Sequence, residues 1–167
     1  MHVLFVAPAL SANALSCLHA LLQLPDVRTG LITHRPEADL PPWARGRLSG
    51  HYQVTNALDP DALVRAIRAF QRSIGAVDQL LGFLEHLQIP LAIAREQTGI
   101  PGMTEGVAWG FRDKHRMKRI LRATGLPVAR QAVVHDRAEL EQFARAVGLP
   151  LVIKPIAGLR SEERRVG

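Results

Sequence analysis

Cysteine is almost missing from this chain: Cys17 is the only one in 167 residues. One thiol cannot build an internal disulfide framework, and it suits a reducing compartment. The seven histidines are scattered, and no Cys/His cluster has zinc-ligand spacing. Aromatic residues make up only 5%, which leaves Leu, Val, Ile and Ala to build a core. No run approaches the roughly 18 uninterrupted apolar residues of a membrane helix. The opening MHVLFVAPAL is apolar, but no Lys or Arg precedes the run and Pro8 breaks it. It reads as a first strand rather than a signal peptide. Internal repeats and low-complexity tracts are absent too. These gaps lead to the expectation of a cytoplasmic globular protein with no membrane partner.

What is present fits that class. Apolar residues make up 47% and charged residues 22%, an ordinary balance for a globular domain. Lys and Arg number 21 against 15 acids, for a net charge of +6. A mild basic excess suits anionic partners, nucleotides as well as nucleic acids. Part of the excess is local, since RDKHRMKRILR (112–122) holds six Lys or Arg and one acid.

Strand and helix patterns alternate along the first hundred residues. HVLFVAP is a continuous apolar run closed by proline, as expected of a strand covered on both faces. SANALSCLHALLQL has helical spacing, with Leu15, Leu18, Leu22 and Leu24 near one stripe and Cys17 packing beside them. VRTGLITH reads as a second strand, PEADLPPWARGRLSG as irregular and HYQVTN as a short third strand. DPDALVRAIRAFQRSIG is a helix: Asp59 caps it, Pro60 takes its first position, and Leu63, Ile67 and Phe70 share a face. VDQLLGF is a fourth strand candidate, and LEHLQIPLAIAREQTG a helical region interrupted by Pro90. Such alternation implies parallel pairing through crossover helices, an open α/β sheet. The turn GIPG (99–102) is the expected boundary of this first domain.

A helix over about 104–124 opens the second unit, closed by Gly125 and Pro127. VARQAVV is a strand candidate. DRAELEQFARAVG is a short helix with Asp136 as cap and Glu139 three residues on. Leu140, Phe143, Ala144 and Val147 form its apolar face, and Gly148 ends it. LVIKPIAG is the next strand and is expected to be buried. Its Lys154 is expensive to bury without an anion, and Ala157–Gly158 lets backbone N–H groups approach a ligand closely. Strand, lysine and small-residue loop suit phosphate oxygens; the plainer alternative is a lysine reaching solvent at a strand edge.

The order of these parts resembles the ATP-grasp superfamily, in its carboxylate–amine ligase and biotin carboxylase-like branch. The motifs that carry the likeness are GIPGM, DKHRMKRILRATGLPV and GLPLVIKP. The resemblance implies a parallel-sheet pre-ATP-grasp domain over 1–102 and the N-terminal part of an ATP-grasp domain over 103–159. It also implies that Lys114 and Lys154 contact ATP phosphates and that Ala157 and Gly158 begin a loop closing over them. The implied reaction activates a carboxylate as an acyl phosphate and joins it to an amine, with both substrates small molecules. Mg²⁺ would be the companion ion, its ligands expected downstream of residue 159; family members often dimerise. Lys118 and Arg122 share a helix face with Lys114, and the plainer alternative for them is a solvated surface, with Met117, Ile120, Leu121 and Thr124 on the covered side. Asp113, at the opening of the basic 112–122 stretch, is given no more than a helix-stabilising role.

Other residues attract plainer readings. Glu85 and Glu96 are surface charges, Glu105 a helix cap, and Trp43 a loop-packing ring. His34 and His51 sit where α/β folds place substrate loops. After Leu159, RSEERRVG departs from the family pattern and is similar to a translated sequencing adapter, so residues 160–167 are left out of the fold reading. This polypeptide by itself is expected to be inactive in ligation. Two other functions stay open: a non-catalytic nucleotide-binding regulatory domain, and a nucleic-acid module built on the 112–122 helix. The second is disfavoured, because no aromatics interleave with the basic residues.

Overall fold

The computed structural model describes residues 1–156 and the backbone of 164–166. Ala157 and Gly158, proposed as the start of a phosphate loop, lie outside the described residues. The chain divides into two compact units, Met1–Glu105 and Gly106–Gly167.

The first unit is an open α/β sheet. Strand β1 (His2–Val6) is followed by helix α1 (Ala12–Gln23), strand β2 (Arg28–Thr33), a short helix α2 (Pro42–Arg45) and strand β3 (Gly50–Gln53). Helix α3 (Pro60–Ile74), strand β4 (Gln79–Leu81) and helix α4 (Gln88–Thr98) complete it. The strand order is β3-β2-β1-β4, and every pairing is parallel. Val3 sits opposite Thr29 on one side and Gln79 on the other. β1 is buried at all five positions because it has neighbours along both edges and helices over both faces.

Side-chain alternation along β1 feeds two cores. Leu4 and Val6 pack with Leu63, Ile67 and Phe70 of α3 and Leu91 and Ala94 of α4. Phe5 packs with Ala14, Leu18 and Leu22 of α1 and with Ala44 of α2, and Cys17 lies against the same cluster. The α3 ring Phe70 occupies space that side chains on two strands would need: a Cβ on Gly30 would stand 2.8 Å from Phe70 Cε1, and one on Gly50 2.7 Å. The α3 start is as expected, with Asp59 accepting from the Asp61 N–H and Pro60 at the first position. Two expectations fail here. Leu24 is the C-cap of α1 and 49% exposed; Ala14 joins the buried stripe instead. Pro90 does not interrupt α4, since it falls in the first turn, where an N–H has no intrahelical partner to lose.

The second unit holds α5 (Glu105–Arg112, beginning one residue before it), α6 (Lys114–Ala123), α7 (Arg137–Val147), β5 (Leu151–Ile153) and β6 (Arg164–Val166). The single helix expected over 104–124 is two helices, because Asp113 takes an extended conformation (φ −89°, ψ 106°) and caps the second. Residues 128–134 form no strand. A strand needs a neighbour for its N–H and C=O groups, and among the described residues none pairs with it; side chains fasten the run instead. Arg130 donates to Ala146 O and Val147 O at the end of α7, and Gln131 donates to His115 O. β5 is not the covered strand the apolar run suggested. Among the described residues it pairs only with β6, antiparallel, and Val152 is 48% exposed. Among the described residues of this unit only Ala108 is fully buried.

Candidate functional site

The start of α6 is built by one carboxylate. Asp113 Oδ1 accepts from the His115 N–H at 2.8 Å and the Arg116 N–H at 2.9 Å, and Asp113 O accepts from the Met117 N–H at 2.8 Å. Helix starts leave such donors without partners, and Asp is among the best side chains to satisfy them. The remaining first-turn donor, the Lys114 N–H, goes outside the helix to Ile156 O at 3.2 Å. Ile156 lies two residues beyond Lys154. The segment after β5 and the start of α6 are therefore joined by a main-chain hydrogen bond, and the two predicted lysines come from adjoining segments of one unit.

The carriers of the two ammonium groups differ. Lys114 is half-buried at the first position of α6, and Lys154 is exposed just past the end of β5. Because the first-turn N–H groups of α6 already have protein partners, that helix end offers few free donors to an anion. Phosphate recognition here would rest on side-chain ammonium groups, which suit a mobile oxygen as compact charges with three donors. Lys118 and Arg122 lie further along α6, with Arg122 exposed. The expected covered side of α6 is only partly covered: Met117 and Leu121 are half-buried, while Ile120 is 47% exposed.

A separate shallow cleft of about 350 Å³ lies between residues 132–134 and α7, lined by Val133, Val134, Glu139, Gln142 and Phe143 among others. Neither lysine lines it. The α7 start is doubly tied, as the pattern predicted: Asp136 Oδ1 accepts from the Glu139 N–H, and Glu139 Oε2 accepts from the His135 N–H. Among the described residues, no three His, Cys, Asp or Glu side chains are placed together to hold a metal.

The other candidates hold structure together. His34 Nε2 accepts from the Ala57 N–H at 2.8 Å, and His51 Nε2 lies 3.1 Å from Arg35 O. Trp43 meets the His19 ring edge to face at 5.1 Å. Glu96 Oε2 accepts from the Glu105 N–H. Two groups escaped the sequence reading. His2 is buried between Ala76 O and Ser49 Oγ, each 3.2 Å from a ring nitrogen, and burial pushes its pKa down. Arg95 donates to Leu80 O, and desolvation lowers its pKa too. Neither carried a local signal, since each depends on backbone brought from a distant part of the chain.

Comparison with known proteins adds relatives. No family model matches the chain. It is 32% identical over 130 residues to a D-alanine–D-alanine ligase of Chromohalobacter salexigens, an alignment covering 78% of this chain and 35% of the relative. In fold it is similar to the L-amino acid ligase from Bacillus licheniformis, with a TM-score of 0.69 at 19% identity, covering 99% of this chain and 38% of that one. It is also similar to N5-carboxyaminoimidazole synthetase from Staphylococcus aureus, solved with ADP, with a TM-score of 0.64 at 14% identity, covering 94% of this chain and 39% of that one. The chain spans between 22% and 35% of the length of the curated D-alanine–D-alanine ligases it matches. Among the described residues, no helix is long and apolar enough to cross a membrane.

Proposed function

Since the chain resembles the ATP-grasp carboxylate–amine ligases in sequence and in fold, we propose that it is the N-terminal part of an ATP-dependent ligase that joins a small carboxylate to an amine. The relatives named for D-alanine and for L-amino acids support amino acids as the substrate class. The observation that carries the reading is the 3.2 Å bond from the Lys114 N–H to Ile156 O. It brings the DK and IKP segments together, as one polyphosphate would require.

ATP supplies the phosphoryl group that converts a carboxylate into an acyl phosphate, from which an amine then displaces phosphate. The work of Lys114 and Lys154 is to hold phosphate oxygens and balance their charge by position. The ligands for the Mg²⁺ that accompanies ATP are expected beyond residue 159. The 167-residue polypeptide alone does not complete ligation in this reading; dipeptide or other amide formed by it would contradict that.

The test is an NMR titration of the chain with MgATP. Lys114→Ala and Lys154→Ala should each weaken binding about tenfold, roughly 1.4 kcal/mol, while Arg68→Ala on α3 should leave it unchanged. Failure of the unaltered chain to bind millimolar MgATP, or unaltered affinity in both lysine variants, would overturn the proposal.

A further inference from the structure

We infer that Asp113 is a positioning residue for nucleotide phosphate binding: its carboxylate fixes the start of α6, and the start of α6 fixes Lys114 against the Lys154 segment. The inference rests on the reading above and adds a residue that holds no phosphate itself. Four bonds define the arrangement. Asp113 Oδ1 takes the His115 and Arg116 N–H groups, Asp113 O takes the Met117 N–H, and the Lys114 N–H reaches Ile156 O. The break between α5 and α6 falls on Asp113. That break leaves the Lys114 N–H outside the helical ladder, free to reach across. Continuous helix through residue 113 would send the same N–H to the carbonyl four residues back, and the link to Ile156 would be lost. Lys114 would then be carried on a helix with no main-chain tie to the segment bearing Lys154.

The charge of Asp113 makes the assignment testable. Beside a polyphosphate an acid is unfavourable, so the role inferred for Asp113 rests on geometry, not charge. Asparagine caps helices as well as aspartate does, so the neutral Asp113→Asn should preserve the arrangement, and Asp113→Ala should not. A charge-based role would give the opposite ordering of Asn against Asp.

The experiment uses the 167-residue chain and its Asp113→Asn, Asp113→Ala and Lys114→Ala variants, measured in two ways. Amide hydrogen exchange should show the Lys114, His115 and Arg116 N–H groups losing protection at least tenfold in Asp113→Ala and keeping it in Asp113→Asn. NMR titration with MgATP should show Asp113→Ala weakened severalfold toward Lys114→Ala, with Asp113→Asn at or above the unaltered affinity. Asp113→Ala binding MgATP as well as the unaltered chain would overturn the inference while leaving the ligase reading intact. Loss of binding in Asp113→Asn despite normal amide protection would also overturn it, since the carboxylate would then act directly. Absence of MgATP binding by the unaltered chain would overturn the ligase reading, and this inference with it.

Discussion

His2 shows what a single residue can do that its neighbours in sequence do not announce. It is the second residue of the chain, yet it is 1% exposed. Its ring faces Ala76 O, Ser49 Oγ and the edge of Phe70, and its own N–H donates to Asp78 Oδ2. Burial is the largest cause holding its pKa below the usual 6.5; the Ala76 carbonyl and Asp78 pull upward, while Arg28 and the chain amino group add to the lowering. The folded form thus favours the neutral ring. Above 6.5 both folded and unfolded chains carry it neutral and nothing is lost. As pH falls below 6.5 the unfolded chain takes the proton more readily, and stability declines until the folded value is passed. The melting temperature should therefore drop between pH 7.5 and 5.5, and a His2→Gln variant should drop less over the same interval. Equal pH dependence in the two proteins would refute this. Gly30 makes a steric argument at the same scale. A Cβ there would come within 2.6 Å of Leu4 Cδ2, so Gly30→Ala should lower stability by about 1–3 kcal/mol in denaturant unfolding. The glycine's presence was visible in the sequence, but the Phe70 ring that needs it comes from a helix forty residues later.

At the scale of elements, legibility followed how local the signals were. The caps on α3 and α7 could be read from Asp59–Pro60 and Asp136–Glu139 because donor and acceptor lie within four residues. β1 could be read because five apolar residues and a proline leave few alternatives. The break at Asp113 was hidden because the residues on both sides of it are helical, and nothing local marks where one helix stops and the next begins. The 128–134 run has strand composition without a strand's neighbour, and composition cannot supply one. For the lysine pair, the motifs supplied two positions with no distance between them; that their segments meet depends on the Ile156 carbonyl, which no pattern marks. Loss of a cap is an element-scale change: Asp136→Ala should destabilise α7 by about 1 kcal/mol, read as faster exchange of the α7 amides, with α3 unaffected.

For the whole molecule, the division of burial between the units is the dominant fact. Met1–Glu105 holds two apolar clusters around a four-stranded sheet, whereas the described part of Gly106–Gly167 fully buries one residue. Local opening is cheap where few apolar contacts must be broken. Native-state hydrogen exchange should therefore find the slowest amides in β1, β2 and α3, with those of α6 and α7 exchanging faster by orders of magnitude. Comparable protection in both units would contradict the assignment. Phe111, Leu126 and Leu149, 61%, 53% and 61% exposed, are apolar surface of a kind that promotes association, so the chain should be less soluble than one ending at Glu105.

The position of β1 has a last consequence, for synthesis on the ribosome. β1 is an inner strand of the sheet and is made before both strands it pairs with, and one of those neighbours, β4, ends at Leu81. At about 5–20 residues per second, several seconds pass between translation of the central strand and arrival of that neighbour. During that interval a stretch destined to be among the least wetted parts of the protein has one open edge, and its main-chain groups there stay in water until β4 arrives.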